Sequence, residues 1–280
     1  VQTIYSRLEL NDAIDPTRNR SGSLGFVPTM GALHEGHFSL VEKALSTCDY
    51  TVVSIFVNPK QFNNSEDYDC YPRQVESDLR LLEKLGVDTV YLPNYAALFS
   101  ETNPAATVDL HGLDSVLEGA SRPGHFRGVV EVVYALLDHI NPTHLFLGLK
   151  DFQQVLIIKN MIHDLGLPVS VVACETRREA SGLAMSSRNQ RLSPSQQEDA
   201  AVLYRILKNF KNKQALHSPE HLISEGIEEI SRALLVVDYL AVVDAKTLSA
   251  LDSFGPSAIA CVAATCHGVR LIDNLPLWDD

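Results

Sequence analysis

The chain is short of cysteines, of basic residues and of long apolar runs, and each shortage removes a class of protein. Its five cysteines, Cys48, Cys70, Cys174, Cys261 and Cys266, show no CxxC spacing. An odd, scattered set is no disulfide framework and no zinc motif; it fits a reducing compartment, and a cytoplasmic protein is expected. Lys and Arg number 23 against 35 Asp and Glu, a formal charge of −12 that argues against a broad nucleic-acid-binding surface. A small positive pocket for a phosphate or carboxylate stays compatible with that balance. No uninterrupted apolar stretch approaches the ~20 residues of a membrane helix. No basic segment followed by an apolar run marks a signal peptide. GxxxxGK[ST] is missing, which excludes a P-loop, and there is no internal repeat.

What is present is a chain of 280 residues, 45% hydrophobic and 21% charged, a composition that supports a large core and excludes disorder. Segments 24–27, 51–57, 88–92, 145–147 and 167–174 read as buried strands. Between them 36–47, 75–85, 126–140 and 152–165 carry helical stripes. Segment 94–112 is polar and proline-bearing and reads as no element. The βα alternation implies a mostly parallel sheet with helices on both faces. After Cys174 the character changes. Segment 175–189 is polar and rich in serine and glycine, a mobile linker loop. Helices over 194–210 and 219–235 follow, then strands over 236–243, 259–264 and 269–272, with Cys266-His267-Gly268 as a hairpin turn. The expected fold is α/β: a Rossmann-like parallel-sheet domain over 1–174 and a smaller C-terminal α+β domain over 175–280.

Active sites of open α/β sheets lie beyond the carboxyl ends of the strands, and the polar clusters fall there. Pro28-Thr29-Met30-Gly31-Ala32-Leu33-His34-Glu35-Gly36-His37 follows the first of these strands. Exposed backbone N–H groups at a helix start favour an anion, and two imidazoles three apart add donors to it. The competing reading is that His34 and His37 merely cap the helix. Asn58 and Gln61 follow the next strand; their amides recognise hydroxyls and carboxylates, or simply order a turn. Gly148-Leu149-Lys150-Asp151 opens a third crossing, where Lys150 is either a phosphate-neutralising cation or a surface charge. Asp151 is placed to cap the following helix, and either Gln153 or Gln154 is placed to point into the site. Met185-Ser186-Ser187-Arg188 supplies hydroxyls and a guanidinium, a clamp for polyphosphate or an ordinary polar linker. Arg122-Pro123-Gly124-His125-Phe126-Arg127-Gly128 adds two arginines and a histidine in a glycine-bearing turn, placed either to line the same cleft or to bind a partner subunit.

Together these motifs resemble the signature of the pantothenate synthetase family. The stretches are 28–37, 54–62, 119–128, 150–154 and 182–189, in the family's order. The resemblance implies ATP-dependent condensation of (R)-pantoate with β-alanine to (R)-pantothenate, AMP and diphosphate. The route runs through pantoyl adenylate, with Mg2+ accompanying ATP and the chain forming a homodimer. It further implies that Met30, Gly31, Ala32, Leu33, His34, Glu35, Gly36 and His37 wrap ATP. His34 and His37 would meet phosphate, with His37 at the position of the family's proton donor. Gly148, Leu149, Lys150 and Asp151 match one nucleotide segment, with Lys150 on the phosphates, and Met185, Ser186, Ser187 and Arg188 match the other. Arg177 aligns with a backbone contact to adenosine. Gln61 matches a glutamine shared by pantoate and β-alanine, and Gln154 a second pantoate contact.

Four positions depart from the family pattern: Leu149 replaces a glutamate, Ser181 an aspartate, Thr143 an aspartate and Glu131 a threonine. None removes a phosphate-binding group. Two other readings compete, a different nucleotidyltransferase of the same superfamily and a non-catalytic nucleotide sensor. Gln61 and Gln154 favour a hydroxy-acid substrate over a phosphomonoester. His34, His37, Lys150 and Arg188 together favour catalysis over sensing.

Overall fold

Short β-branched and aromatic runs bounded by glycine, proline and polar residues set the framework of the molecule. The computed structural model describes residues 1–63, 65–99 and 104–278. Among them, six strands form one parallel sheet: β1 (Gln2–Ile4), β2 (Leu24–Thr29), β3 (Tyr50–Ile55), β4 (Thr89–Tyr91), β5 (His144–Gly148) and β6 (Ser170–Cys174). Phe26, Val27, Val52, Val53, Val90, Leu145 and Phe146 are fully buried, as strands covered by helices on both faces require. Each large side chain of this kind contributes about 1.5–3 kcal/mol.

The strand order is β1-β4-β3-β2-β5-β6. From β2 the chain winds outward through β3 and β4, and then returns to β2's other side with β5. The order therefore reverses between β2 and β5, the switch point at which open α/β sheets hold ligands. The ladder there is short. Only Gly25↔His144 and Phe26↔Leu145 pair, although both strands run on for three more residues. Their carboxyl ends thus part, and the turn after β2 lies at this opening. Thr143 seals the opposite end. Its hydroxyl accepts from Leu24 N–H at 2.8 Å while its own N–H donates to Leu24 O at 2.9 Å.

The helix Arg7–Arg18 lies outside the expected elements, although its start carries a capping box. Ser6 Oγ accepts from Glu9 N–H, and the Glu9 carboxylate accepts from Ser6 N–H. The expected helix over 194–210 is two, Pro194–Ala200 and Val202–Lys213, with Ala201 between them. Segment 94–112 holds the short helix Tyr95–Leu98 and a 3-10 turn at Pro104–Thr107, while residues 100–103 lie outside the described set.

The chain divides into two units. The first comprises Val1–Ser115, Arg122–Leu149 and Gln153–Glu175; the second comprises Val116–Ser121, Lys150–Phe152 and Thr176–Asp280. The second is built on an antiparallel sheet of β7 (Val236–Asp244), β8 (Ala258–Cys266) and β9 (Val269–Pro276), with His267-Gly268 closing the expected hairpin. Leu203, Ile206 and Phe210 of one helix and Leu222 and Ile230 of the next share its core with Val262 and Ala264. Segment 116–121 is fastened to this unit by buried Glu118, whose carboxylate accepts from both Arg270 Nη atoms, at 2.8 and 2.7 Å, and from Tyr239 OH at 2.8 Å. Among the described residues no helix is long and apolar enough to cross a membrane.

Candidate active site

In the first unit, β2 ends on Thr29, whose hydroxyl donates to Ser54 O and accepts from Gly31 N–H. The chain then turns sharply: Gly31 has φ +76° and Ala32 φ +50°, backbone that glycine adopts without strain and alanine does not. What holds the turn is Asp78, nearly fully buried on the helix Val75–Leu85. Its two carboxylate oxygens accept from Ala32 N–H and Leu33 N–H, each at 2.9 Å. A Cβ on Gly31 would sit 2.9 Å from Asp78 Oδ2, so the close approach also calls for glycine. Burial pushes the Asp78 carboxyl above its ordinary value, against the two backbone donors that lower it. Sequence reasoning missed Asp78; its one signal was an acid on a helix that otherwise reads as amphipathic.

The turn delivers the helix Glu35–Thr47. His34 caps it: Nδ1 accepts from Gly36 N–H at 3.1 Å, and His37 Nδ1 accepts from His34 N–H at 3.4 Å. The two rings lie 4.1 Å apart between centroids. The capping reading and the phosphate reading are therefore not rivals. An imidazole whose Nδ1 accepts a hydrogen bond carries its proton on Nε2, so capping and an N–H donor on the same ring are compatible at a helix N-terminus.

Beyond β3, Asn58 is buried and its amide does the ordering. Nδ2 donates to Gly128 O at 3.0 Å and to Gln61 Oε1 at 3.3 Å, and Oδ1 accepts from Lys60 N–H. Gln61 closes the 3-10 turn Pro59–Gln61, and its Nε2 lies 3.2 Å from Met30 Sδ. The structure thus joins the turns after β2 and β3. Gln61 O lies 2.8 Å from His125 Nδ1 and accepts from Arg122 Nη2 at 3.2 Å. Between the two glutamines opening the helix Phe152–Asp164, Gln153 is buried and donates to Leu113 O at 2.6 Å, whereas Gln154 is half-buried. Gln153 is thus occupied with holding the fold.

In the second unit, Lys150 is only 19% exposed and its Nζ lies 3.4 Å from Asp151 Oδ1, so it is no ordinary surface cation. Its carbonyl accepts from Asn274 Nδ2 at 2.8 Å. The neighbour of Asn274 on β9, Asp273, is buried and accepts from Arg178 at 2.6 and 3.0 Å. Burial raises the Asp273 carboxyl, and the Arg178 guanidinium beside it lowers it. Arg178 also stacks 3.7 Å over the Tyr204 ring. Around it the stretch expected as an open linker folds back on itself. Arg178 bridges Ala184, Met185 N–H donates to Arg177 O at 2.9 Å, and Asn189 Nδ2 donates to Ala184 O at 3.0 Å. Ser186 Oγ accepts from Arg188 N–H and caps the turn Ser187–Arg191. One edge of β9 therefore anchors both the Lys150 turn and the Arg177–Arg188 loop. Neither Asp273 nor Asn274 stands out in sequence, where both fall just beyond the strand expected over 269–272.

Similarity to known proteins converges on one description. A family model for pantoate-beta-alanine ligase matches residues 2–276. The pantothenate synthetase of Porphyromonas gingivalis is 40% identical over 274 residues, covering 96% of this chain and 97% of that one. The pantothenate synthetase of Cytophaga hutchinsonii is 42% identical over 280 residues, with 98% and 97% covered. The crystal structure of pantothenate synthetase from Thermus thermophilus superposes with a TM-score of 0.91 at 41% identity, covering all of both chains. The Francisella tularensis pantoate-beta-alanine ligase, crystallised in complex with beta-gamma ATP and beta-alanine, superposes with a TM-score of 0.83 at 34% identity, over 99% of this chain and 98% of that one.

Proposed function

The chain belongs to the pantoate–β-alanine ligase family, and from that premise we propose how its own residues carry out the ATP-dependent joining of pantoate and β-alanine to pantothenate. The reaction runs in two steps. The pantoate carboxylate attacks the α-phosphorus of ATP, the bond between α-phosphorus and bridging oxygen breaks, and diphosphate leaves. The amine of β-alanine then attacks the acyl carbon of pantoyl adenylate and expels AMP. A carboxylate needs this activation because oxide is a poor leaving group and AMP a good one.

The single observation that carries the assignment is the capped imidazole pair at the switch point, 4.1 Å between rings, beside a crevice where β2 and β5 part. His34 and His37 donate Nε2–H to the phosphates as charge moves onto the departing diphosphate. Met30 to His37 supply the backbone wrap. Lys150 neutralises phosphate charge from the segment Gly148–Asp151. Met185 to Arg188 close on the nucleotide from the second loop, and Arg177 meets adenosine through its backbone. Gln61 and Gln154 hold pantoate, and Gln61 also receives β-alanine. Residues 1–174 carry nucleotide and pantoate recognition and 175–280 the second nucleotide loop. Positioning and charge neutralisation supply the catalysis.

Mg2+ enters as the metal–ATP complex. Among the described residues there is no group of three His, Cys, Asp or Glu placed to hold a metal. The working form is a homodimer through the first unit, and the five free thiols suit the reducing cytoplasm. Light scattering giving a mass near 30.9 kDa at micromolar concentration would reject the dimer.

The decisive test of the reaction order is isotope exchange between diphosphate and ATP. With pantoate present and β-alanine omitted, exchange is expected, and AMP appears only when β-alanine is added. Exchange that strictly requires β-alanine overturns the adenylate route.

A further inference from the structure

The turn bearing Gln61 is fastened to the helix His125–Ile140. His125, Gly128 and Glu131 are spaced three apart on that helix, so each neighbours the next along a row that slants over about a third of its circumference. At the first position, His125 Nδ1 meets Gln61 O. At the second, Gly128 lets the turn come close: a Cβ there would lie 2.5 Å from Lys60 O and 2.9 Å from Gln61 N. At the third, Glu131 Oε2 lies 2.5 Å from Lys60 Nζ. Glu131 is 14% exposed, and Lys60 Nζ is also held 4.5 Å from the centroid of the Phe99 ring. Lys60 is the residue immediately before Gln61, so an ion pair that fixes its side chain acts on the Gln61 backbone one peptide away.

We propose that Glu131, acting through Lys60, is a positioning residue for Gln61. The pair locks the Pro59–Gln61 turn to the helix and so sets where the Gln61 amide meets the hydroxy acid and the amino acid. It touches neither substrate. The inference rests on the reading of Gln61 as a substrate-binding residue. Removing the Lys60 ammonium strands the largely buried Glu131 carboxylate. The turn then keeps its backbone contacts to His125 and Arg122 but loses the ion pair on the Lys60 side.

The test is steady-state kinetics of Glu131→Gln, Lys60→Met, their double variant and the charge-exchanged pair Lys60→Glu with Glu131→Lys, each also followed by thermal unfolding. Each single variant is expected to raise KM for pantoate and for β-alanine about three- to fivefold, the ratio that corresponds to one modest ion pair. KM for ATP stays within about twofold, because His34, His37 and Lys150 sit on other segments. The double variant is no worse than either single one, and the exchanged pair recovers most of the loss. Equal rises in all three KM values, or additive effects in the double variant, would overturn the proposal in favour of a merely structural pair. So would Lys60→Met raising KM where Glu131→Gln does not, which would make Lys60 a direct ligand. Gln61→Asn separates this from its premise. If it leaves both KM values unchanged, the reading of Gln61 fails and the proposal with it. If it raises them and Glu131→Gln does not, only the positioning role fails.

Discussion

Replacing Asp78 by alanine tests whether a buried acid remote in sequence shapes the nucleotide-binding turn. The carboxylate accepts two backbone N–H groups at 2.9 Å, from Ala32, which is fully buried, and from Leu33, which is 6% exposed. Losing the acceptor leaves both donors without it in a place water reaches poorly, at about 1–3 kcal/mol each, or roughly 2–6 kcal/mol together. Relief of the buried charge offsets part of this, so a net loss of about 3 kcal/mol is expected for Asp78→Ala. Asp78→Asn keeps one acceptor and loses less. Urea unfolding at constant slope reads the stability. Diphosphate–ATP exchange reads the function, which is expected to fall about a hundredfold as the imidazoles lose their seat by an ångström or so. The pH dependence carries its own sign. Burial raises the folded-state value above the unfolded one, so the folded state holds the extra proton between the two. Stability from this group is therefore fullest below the ordinary carboxylate value and declines as pH rises through the raised one. Measured against Asp78→Asn, which cannot titrate, the parent's advantage shrinks with rising pH across that window. An Asp78→Ala protein with an unchanged urea midpoint, or one that is destabilised yet binds and turns over ATP like the parent, would refute the reasoning.

His37→Ala and Lys150→Ala are expected to slow adenylate formation by about a hundred- to a thousandfold while weakening ATP binding less. Supplied with preformed pantoyl adenylate, both should make the amide at near the parental rate, and single-turnover kinetics of the two half-reactions would reveal the opposite. Gly128→Ala puts a methyl 2.5 Å from Lys60 O and should raise KM for pantoate more than KM for ATP. Asp244 is held down to about 2 by the Ser257 hydroxyl and the Lys246 and Thr247 N–H groups. Its folded value lies below the unfolded one, so the stability it confers is present above about pH 4 and lost as pH falls toward 2. Thermal unfolding of Asp244→Asn and parent should converge over that range. Cys261 is buried with its thiol pushed up to about 12, whereas Cys70 is exposed, so an aromatic disulfide reagent should label Cys70 in the native state and reach Cys261 only on unfolding.

Much of this protein is written locally. The βα alternation from Leu24 to Cys174 follows from stretches of a dozen residues or fewer, because strand and helix periodicity are properties of near neighbours. The placing of His34, His37, Gln61 and Lys150 after strands follows from the same pattern, and the motif order carried the family. Even the missed helix Arg7–Arg18 had its local signal in Ser6 and Glu9. Tertiary structure alone decided which distant charge meets which backbone. Asp78 reaches Ala32 across 46 residues, Arg178 reaches Asp273 across 95, and Lys60 reaches Glu131 across 71. The strand order that puts β2 beside β5, and opens their carboxyl ends, likewise depends on how the chain closes. A side chain's periodicity reports the face it buries, but its partner across the fold is set by the packing of elements whose sequences bear no local mark of each other.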